Sequence, residues 1–251
     1  MSVDKSYLTA FSSNRQLTIQ SVRGILIDKF CDVIAVTYNK GDKINNSKKP
    51  VRDAEVTKAV ILKAAQEEFA QLGLTAARTE AIAAKTGVAK SMIYYYFKDK
   101  EGLYRAVLEQ THAELLQTLE NLETQNLPAE QALEKFLTAL LDCVSNNPKL
   151  PAIMFHESVQ NQGKYYQHSS SVSIDTILIS ILQRGVEEGS FRPLDPFGSA
   201  INIMGTCLFY FIGAGNIKHF PQGKRLLSKA MLKSHAQEAI SLILAGVRKS
   251  S

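Results

Sequence analysis

Side chains able to contact nucleic acid are concentrated between residues 90 and 100. Lys90 and Ser91 begin this stretch, three consecutive tyrosines at 94–96 follow, and Lys98 and Lys100 end it. Ammonium groups bind phosphate oxygens, and hydroxyl groups hydrogen-bond to phosphates and to the edges of bases. The composition of this segment therefore predicts contacts with DNA.

A pair of short helices would present these side chains. Gly87 lies between two short segments with helical periodicity, and a glycine there supplies the tight turn of a helix-turn-helix, whose second helix enters the major groove. We expect the first helix to have Thr79 as its N-cap and to end at Thr86. The second is expected over about 90–97.

Longer helices are predicted on both sides of this pair. Ile61, Ala65, Phe69 and Leu72 recur at helical spacing up to Gly73. Asp99 is expected to cap the next helix, whose periodic positions are Leu103, Val107, Thr111, Leu115, Leu119 and Leu122. After a break at Pro128, helices are expected at about 129–146, 149–160, 170–188, 195–216 and 224–247. The predicted fold class is all-α.

Charge divides the chain in the same way as the helix pattern. Residues 48–105 hold 11 Lys and Arg against 7 Asp and Glu, whereas residues 106–251 hold 12 against 13. A local positive excess is typical of a DNA-binding module. We therefore expect an N-terminal three-helix helix-turn-helix domain over residues 51–103 and a helical domain over 104–251. Residues 1–50 form an extension and linker of unassigned function, and translation could also begin further downstream.

The segment IAAKTGVAKSMIYYYFKDKEGL, residues 82–103, resembles the signature of the TetR family of bacterial transcription regulators. The shared parts are an alanine-bearing helix, a Gly-Val turn, a tyrosine-rich recognition helix, and a Phe followed by a Lys-Glu pair. The resemblance is specific over about 56–108. It implies phosphate contacts by Thr79, Tyr94 and Lys100. It further implies base contacts by Lys90, Ser91 and Met92, with Tyr95 beside them.

Four residues depart from the family pattern. Ala89 stands where a Ser or Thr cap is usual, Ser91 and Met92 replace Gly and Thr, and Gly102 lies in the first turn of the fourth helix. Met92 has an apolar side chain in place of a hydrogen-bonding one, so the family's base preference does not carry over.

For the C-terminal part, the resemblance implies a ligand-binding and dimerisation domain. Our candidates for lining a small-molecule cavity are Met154, Phe155, Glu157, Tyr165 and Tyr166. The last two long helices would pair with a second copy, with close approach allowed at Gly205, Gly213 and Gly215. The expected function is that of a cytoplasmic homodimer, most typically a repressor, that a small-molecule effector releases from a palindromic DNA operator.

The sequence predicts no catalytic site, no cofactor and no metal site. His156 and Glu157 begin an HExxH zinc motif, but Gln160 takes the place of its second histidine. Three cysteines without CxxC spacing fit small buried side chains in a reducing cytosol or, alternatively, a redox-sensing thiol: Cys31, Cys143 and Cys207.

Three other functions stay open at this point. A helical-bundle enzyme would need a convergent polar site, which the C-terminal half does not show. A membrane-anchored regulator would place the uncharged segment Pro196–Ile217 in a bilayer, although Asn202 and Asn216 interrupt it. An activator would differ from a repressor only in where its operator lies.

Overall fold

The computed structural model describes residues 50–166, 171–220 and 225–249. The extension predicted over residues 1–50 lies outside the described residues except for Pro50, and Cys31 lies outside them as well. In chain order the helices are α1 (Pro50–Ala76), α2 (Thr79–Thr86), α3 (Lys90–Phe97), α4 (Lys100–Glu120), α5 (Ala129–Asn146), α6 (Leu150–Asn161), α7 (Ser171–Glu187), α8 (Pro196–Ile212), α9 (Ala214–Ile217) and α10 (Lys229–Val247), with a short 3-10 helix at Thr124–Asn126 between α4 and α5.

The prediction of an all-α fold is confirmed. Within the described ranges the only β-type pairing is an antiparallel bridge between Phe191 and Arg248. Two predicted boundaries are wrong. The helix expected at 195–216 ends at Ile212, where Gly213 separates α8 from α9, and α10 begins at Lys229 rather than at 224, since Ser228 accepts a hydrogen bond from the Met231 amide and caps it.

A small apolar core lies under the first four helices. Ile61, Phe69, Ile82, Ile93 and Leu103 are all buried in it. One part of the predicted periodicity is wrong: Leu72 is 40% exposed, and Leu74 is buried instead. The backbone of Gly73 leaves the helical conformation, with φ of 68°, so α1 bends there and burial passes to the residue beyond the bend.

A second, larger core is built around α5. This helix buries a regular series of side chains at spacings of three and four: Ala129, Ala132, Leu133, Phe136, Leu137, Leu140, Leu141 and Val144. Helices α4, α7 and α10 pack on α5, and α8 joins through α7 and α10. Burial on this scale is the main stabilising contribution to the C-terminal helices.

Helices α4 and α6 contribute to both cores or border on both. Tyr104 and Val107 of α4 belong to the first core, whereas Leu115 and Leu119 of the same helix belong to the second. Helix α6 packs along α1 and also against α8, and its Ile153 is buried in the first core. The helix-turn-helix is thus packed directly on helices of the C-terminal part.

Candidate nucleic-acid interface

The turn between α2 and α3 has the geometry that the sequence predicted. Gly87 adopts a left-handed conformation, with φ of 68° and ψ of 7°, which glycine takes without a steric penalty. The Thr86 hydroxyl donates to the Ile82 carbonyl at 2.9 Å and accepts from the Val88 amide at 3.3 Å. These bonds satisfy backbone groups at the end of α2 and fix the direction in which α3 leaves the turn.

Helix α3 has one buried side and one open side. Ile93 is fully buried, and Val88 and Phe97 pack partly buried against the same core. On the other side, Lys90 and Ser91 are exposed and Met92 is half-buried. Tyr95 is the most open of the large side chains of α3, at 77% exposed. Helix α3 therefore presents the residues expected to face base edges.

Thr79 differs from its predicted role. It is the first residue of α2 and not the N-cap, a position that Arg78 occupies without a side-chain capping bond. The reason is tertiary: the Thr79 side chain is buried, and its hydroxyl shares a hydrogen bond of 3.2 Å with the Tyr94 hydroxyl. The bond ties the start of α2 to the middle of α3. Tyr94 remains partly open, at 40% exposed.

Lys90 is engaged in an ion pair on the surface of the helix-turn-helix. Its ammonium bonds the Glu80 carboxylate and lies 5.5 Å from the centre of the Tyr94 ring. The hydrogen bond to Glu80 raises the pKa of Lys90, and the same bond lowers the pKa of Glu80. Both groups are charged at neutral pH, so DNA must compete with Glu80 for this cation.

Lys100 is bonded to the backbone at the end of α1. Its ammonium donates to the carbonyls of Thr75 and Ala77, at 3.1 and 3.2 Å, and so joins the end of α1 to the start of α4. Two of its three donors are used in these bonds, which leaves one for a phosphate. The side chain of Asp99 accepts from the Gly102 amide at 2.6 Å and caps α4 as predicted.

Two exposed cations flank the recognition surface. Arg78 stands directly before α2, and Lys98 stands between α3 and α4. Within the described part of the chain, neither side chain makes a hydrogen bond or ion pair. Sequence reasoning did not select Arg78, although a basic residue directly before a helix N-terminus is a signal that could have found it.

The predicted ligand-binding residues fall into three places. Met154 and Tyr166 line a cavity of about 20 Å³ between α4, α5, α6, α7 and α8. Phe155 is 48% exposed and does not line it. Glu157 is buried on α6, and Tyr165, in the segment after α6, is buried in the first core. The cavity therefore gathers two of the five candidates.

Glu157 and Tyr165 instead form a buried polar joint beside α4. The Glu157 carboxylate accepts from the Tyr165 amide at 2.6 Å and from the Asn161 side chain at 2.7 Å. The Tyr165 ring packs edge-on against Tyr104, with 5.5 Å between the ring centres. Burial, with the charge of Glu157 as a second cause, raises the pKa of Tyr104. This joint lies where the end of α6 meets Tyr104 of α4.

His112 is among the cavity residues that the sequence analysis missed. It lines the cavity together with Asp175 and a largely apolar set. A signal was present in its position, since it follows Leu108 by four residues and so lies on the buried face of α4.

The other candidates raised by the sequence gain no support among the described residues. Among the described residues, no group of three or more His, Cys, Asp or Glu side chains could hold a metal ion. Burial raises the pKa of Cys143, and that of Cys207 to about 12, which disfavours the reactive thiolate of a redox sensor. None of the described helices, Pro196–Ile212 included, combines the length and apolarity that a bilayer crossing requires.

Comparisons with known proteins agree with this architecture. Residues 61–107 match the family of bacterial regulatory proteins of the tetR family, and residues 129–243 match a tetracyclin repressor-like C-terminal domain. The chain is 30% identical over 165 residues to the HTH-type transcriptional repressor NicS of Pseudomonas putida, which covers 63% of this chain and 77% of NicS. It is 34% identical over 110 residues to the HTH-type transcriptional repressor SCO4008 of Streptomyces coelicolor, covering 43% of this chain and 53% of that protein.

A solved structure shares the fold. The ketosteroid transcriptional regulator KstR2 of Mycobacterium tuberculosis matches 77% of this chain and 95% of its own, with a TM-score of 0.62 at 20% identity. With both parts of the chain matched in sequence and a helix-turn-helix whose recognition side is open, the protein belongs to the TetR family and is a DNA-binding transcriptional regulator.

Proposed function

We propose that this protein is a cytoplasmic, homodimeric repressor that binds a palindromic operator and releases it when a small molecule enters the cavity among its C-terminal helices. We propose repression rather than activation because NicS and SCO4008 are both named transcriptional repressors. These relatives are regulators and not enzymes. The release step rests on the placement of α4 and α6.

One observation carries the release mechanism: neighbouring residues on α6 belong to different sites. Met154 lines the cavity, and Ile153 beside it is buried in the core of the helix-turn-helix. Helix α4 repeats the arrangement, with His112 at the cavity and Tyr104 in that core. Because packed cores are close to crystal density, a molecule that displaces Met154 also shifts the packing of Ile153. The two helices thus couple ligand binding to the position of α3.

The mechanism is a shift between two populations of the dimer. A ligand that binds one spacing of the recognition helices better than another moves the dimer toward that spacing. A ligand that binds one state about 10⁴-fold more tightly than the other, or by about 5.5 kcal/mol, shifts the dimer almost completely to that state.

A second copy is the proposed partner of α8 and α10. Three apolar side chains of α8 are 57–65% exposed in the single chain: Phe197, Ile201 and Phe209. Together with Gly205 they recur every four residues along α8 and form a ridge of the kind that packs against another helix. We call Phe197, Ile201, Gly205 and Phe209 the α8 ridge. Leu242 of α10 is also exposed, at 67%. Two-fold pairing of the ridge would cover an apolar surface that the single chain leaves in water.

The DNA contacts are proposed from the side-chain positions. Lys90, Ser91, Met92 and Tyr95 are assigned to the major groove because they lie on the open side of α3. The phosphate contacts are assigned, from the resemblance and from exposure, to Thr79, Tyr94, Lys100, Arg78 and Lys98. Thr79 is the most restricted of them, since it is buried and bonded to Tyr94.

Selection of bound sequences from random duplex DNA tests the proposal. We expect an inverted repeat whose half-site centres are one helical turn, about 34–36 Å, or a multiple of it apart. Transcription in vitro from a promoter overlapping the recovered site should then fall when the protein is added. Recovery of a single unrepeated site, or of no preferred sequence, would overturn the dimeric operator, and a rise in transcription would overturn repression.

A further inference from the structure

The cavity has a consistent chemical character. Apart from His112, Tyr166 and Asp175, every described residue that lines it is apolar: Leu115, Leu140, Val144, Leu150, Met154, Ile174, Met204 and Leu208. No lysine or arginine is among the described lining residues, so this part of the wall offers no cation to an anionic ligand. A carboxylate or phosphate would lose its hydration there without an ionic partner, which is strongly unfavourable.

His112 presents a hydrogen-bond acceptor to this cavity. Its side chain is buried, and Nδ1 lies 2.8 Å from the Leu108 carbonyl oxygen, one turn back on α4. A carbonyl only accepts, so Nδ1 carries the proton and the other ring nitrogen, Nε2, holds a lone pair. Burial lowers the pKa of His112, which keeps the ring neutral at neutral pH.

The lone pair of Nε2 is unsatisfied within the chain. No residue of the described ranges hydrogen-bonds to this atom. Since Nδ1 faces the backbone of its own helix, the opposite edge of the ring with Nε2 faces away from α4. A buried polar atom without a partner is costly, and such atoms in native proteins are commonly completed by water or a ligand.

The second polar group of the wall is also an acceptor. The Tyr166 hydroxyl donates to the Asp175 carboxylate at 2.6 Å, which commits the tyrosine proton. The carboxylate oxygens of Asp175 can accept further hydrogen bonds. This position of the cavity wall, like Nε2 of His112, therefore presents an acceptor to a ligand.

The size of the cavity limits the ligand to a compact molecule. About 20 Å³ is room for one water, so a larger occupant must move part of the wall. Met154 and Met204 are unbranched and flexible, which makes them the side chains able to yield. In the proposed function, movement of Met154 is also the step that transmits ligand binding to the helix-turn-helix.

We propose that the effector is a compact apolar molecule with an uncharged hydroxyl or N–H group, which donates a hydrogen bond to Nε2 of His112. This inference rests on the proposed function, because it names the ligand class of the same cavity. The apolar body of the molecule displaces the methionines, and its donor fixes the orientation.

Three probes that share a para-tolyl body test the head group by calorimetry on the full chain without DNA. These are para-cresol, its methyl ether and para-toluate, which differ in offering a donor, no donor and a negative charge. We expect para-cresol to bind about ten-fold more tightly than the ether and para-toluate not to bind. Equal binding of para-cresol and ether, tighter binding of para-toluate, or no binding of any probe at millimolar concentration would overturn the inference.

Variants assign the effect to His112. His112→Leu should lose the preference of about ten-fold for para-cresol over the ether. His112→Gln places an amide oxygen near the position of Nε2 and should keep part of that preference. His156→Leu, at a half-buried histidine of α6 outside the cavity, is the matched control and should change nothing. An unchanged preference in His112→Leu would show that another group recognises the donor.

Nuclear magnetic resonance of histidine-labelled wild-type protein avoids the risk that a core variant fails to fold. The Nε2 resonance of His112 should shift with para-cresol and not with the ether. A resonance that already shows hydrogen bonding and does not respond to para-cresol would mean that a resident water alone completes Nε2. Operator binding is measured separately, so an intact operator preference with failed probes overturns only the ligand class.

Discussion

The region around the helix-turn-helix and the region around α5 differ in how far the chain itself completes the groups of their proposed sites. Around the helix-turn-helix, Thr86 closes the turn, Asp99 caps α4 and Lys100 holds the end of α1. The core around α5 borders a cavity where Nε2 of His112 has no partner among the described residues, and its α8 ridge is open. The first region is a preformed scaffold for DNA contacts, whereas the second, on the proposed function, is completed by an effector and a second copy.

Phe209→Glu tests whether the α8 ridge is the dimer contact, and we expect it to have the largest effect of the proposed substitutions. Phe209 is 65% exposed, so a glutamate costs the single chain little, but it places a charge in an apolar dimer contact. Truncation of central interface residues costs about 2–4 kcal/mol, so operator affinity should fall about 30-fold to 1,000-fold. Sedimentation gives the oligomeric state, and titration of the selected operator gives the affinity.

Phe155→Glu is the matched control, because Phe155 is an exposed phenylalanine of α6 outside the α8 ridge. It should leave both measurements unchanged. A wild-type protein that sediments as a monomer, or equal losses in the two variants, would show that the ridge is not where two copies meet.

Gly102→Ala tests how tightly the scaffold region is built. A Cβ at residue 102 would overlap the carbonyl oxygen of Phe97, which already accepts from the Asp99 amide at 2.9 Å in the turn between α3 and α4. The backbone cannot yield without breaking the cap of α4, so we expect a loss of about 2–3 kcal/mol in the free energy of unfolding. Denaturant titration measures it.

Gly205→Ala gives the opposite expectation in the second region. A Cβ at residue 205 meets no described atom within 4 Å, so helix propensity alone should stabilise a single chain by up to about 1 kcal/mol. Weaker dimerisation of this variant would instead report the close approach of a second copy.

A Gly102→Ala protein as stable as the wild type would contradict the tight turn between α3 and α4.

Sequence-local features were predictable because they depend on neighbours along the chain. The left-handed turn at Gly87, the cap at Asp99 and the bounds of α5 all follow from residues within four positions of each other. The helix-turn-helix and the open side of α3 could therefore be located before the structure was known.

Features set by distant contacts were not predictable. The Thr79 hydroxyl shares a hydrogen bond with the Tyr94 hydroxyl, fifteen residues away, and Lys100 donates to the carbonyls of residues 75 and 77. The cavity gathers side chains from five helices, which no spacing in the sequence reveals. That is why Phe155, adjacent to the cavity residue Met154, was selected and His112 was missed.

Lys90→Ala tests the proposed contact between α3 and the DNA bases. The side chain lies on the open side of α3, so its loss should weaken operator binding by about 1–2 kcal/mol, as for one base contact. Its ion pair with Glu80 is exposed and contributes little to folding, so the thermal midpoint should hardly move. Lys135→Ala, at an exposed lysine of α5, is the control for a general change in charge.

The partner of Lys90 provides a test of opposite sign. Because Glu80 competes with DNA for the ammonium, Glu80→Gln should tighten operator binding. If Lys90→Ala binds the operator as the wild type does, or if Glu80→Gln weakens binding, then Lys90 does not face DNA.

Glu67→Gln concerns the contact between the two regions, and its expected effect is the smallest. The Glu67 carboxylate of α1 accepts from Lys149 at 2.8 Å, before α6, and also pairs with Lys85 of α2. The hydrogen bond from Lys149, followed by that from Lys85, lowers the pKa of Glu67 to about 2. Both lysines are about half exposed, so solvent screens the network and we expect it to contribute about 1 kcal/mol or less.

The pH dependence of this contribution has a definite sign. The folded pKa of Glu67 is depressed, so its stabilisation is present above the unfolded value, about 4.3, and is lost as the pH falls toward 2. The difference in unfolding free energy between wild type and Glu67→Gln should be full at pH 7, shrink below pH about 4.3, and shrink at high salt. A difference that is constant with pH, or that grows in acid, would mean that Glu67 acts through packing. In that case the coupling of cavity to DNA would depend on the buried side of α6, where Ile153 and the Glu157 joint lie.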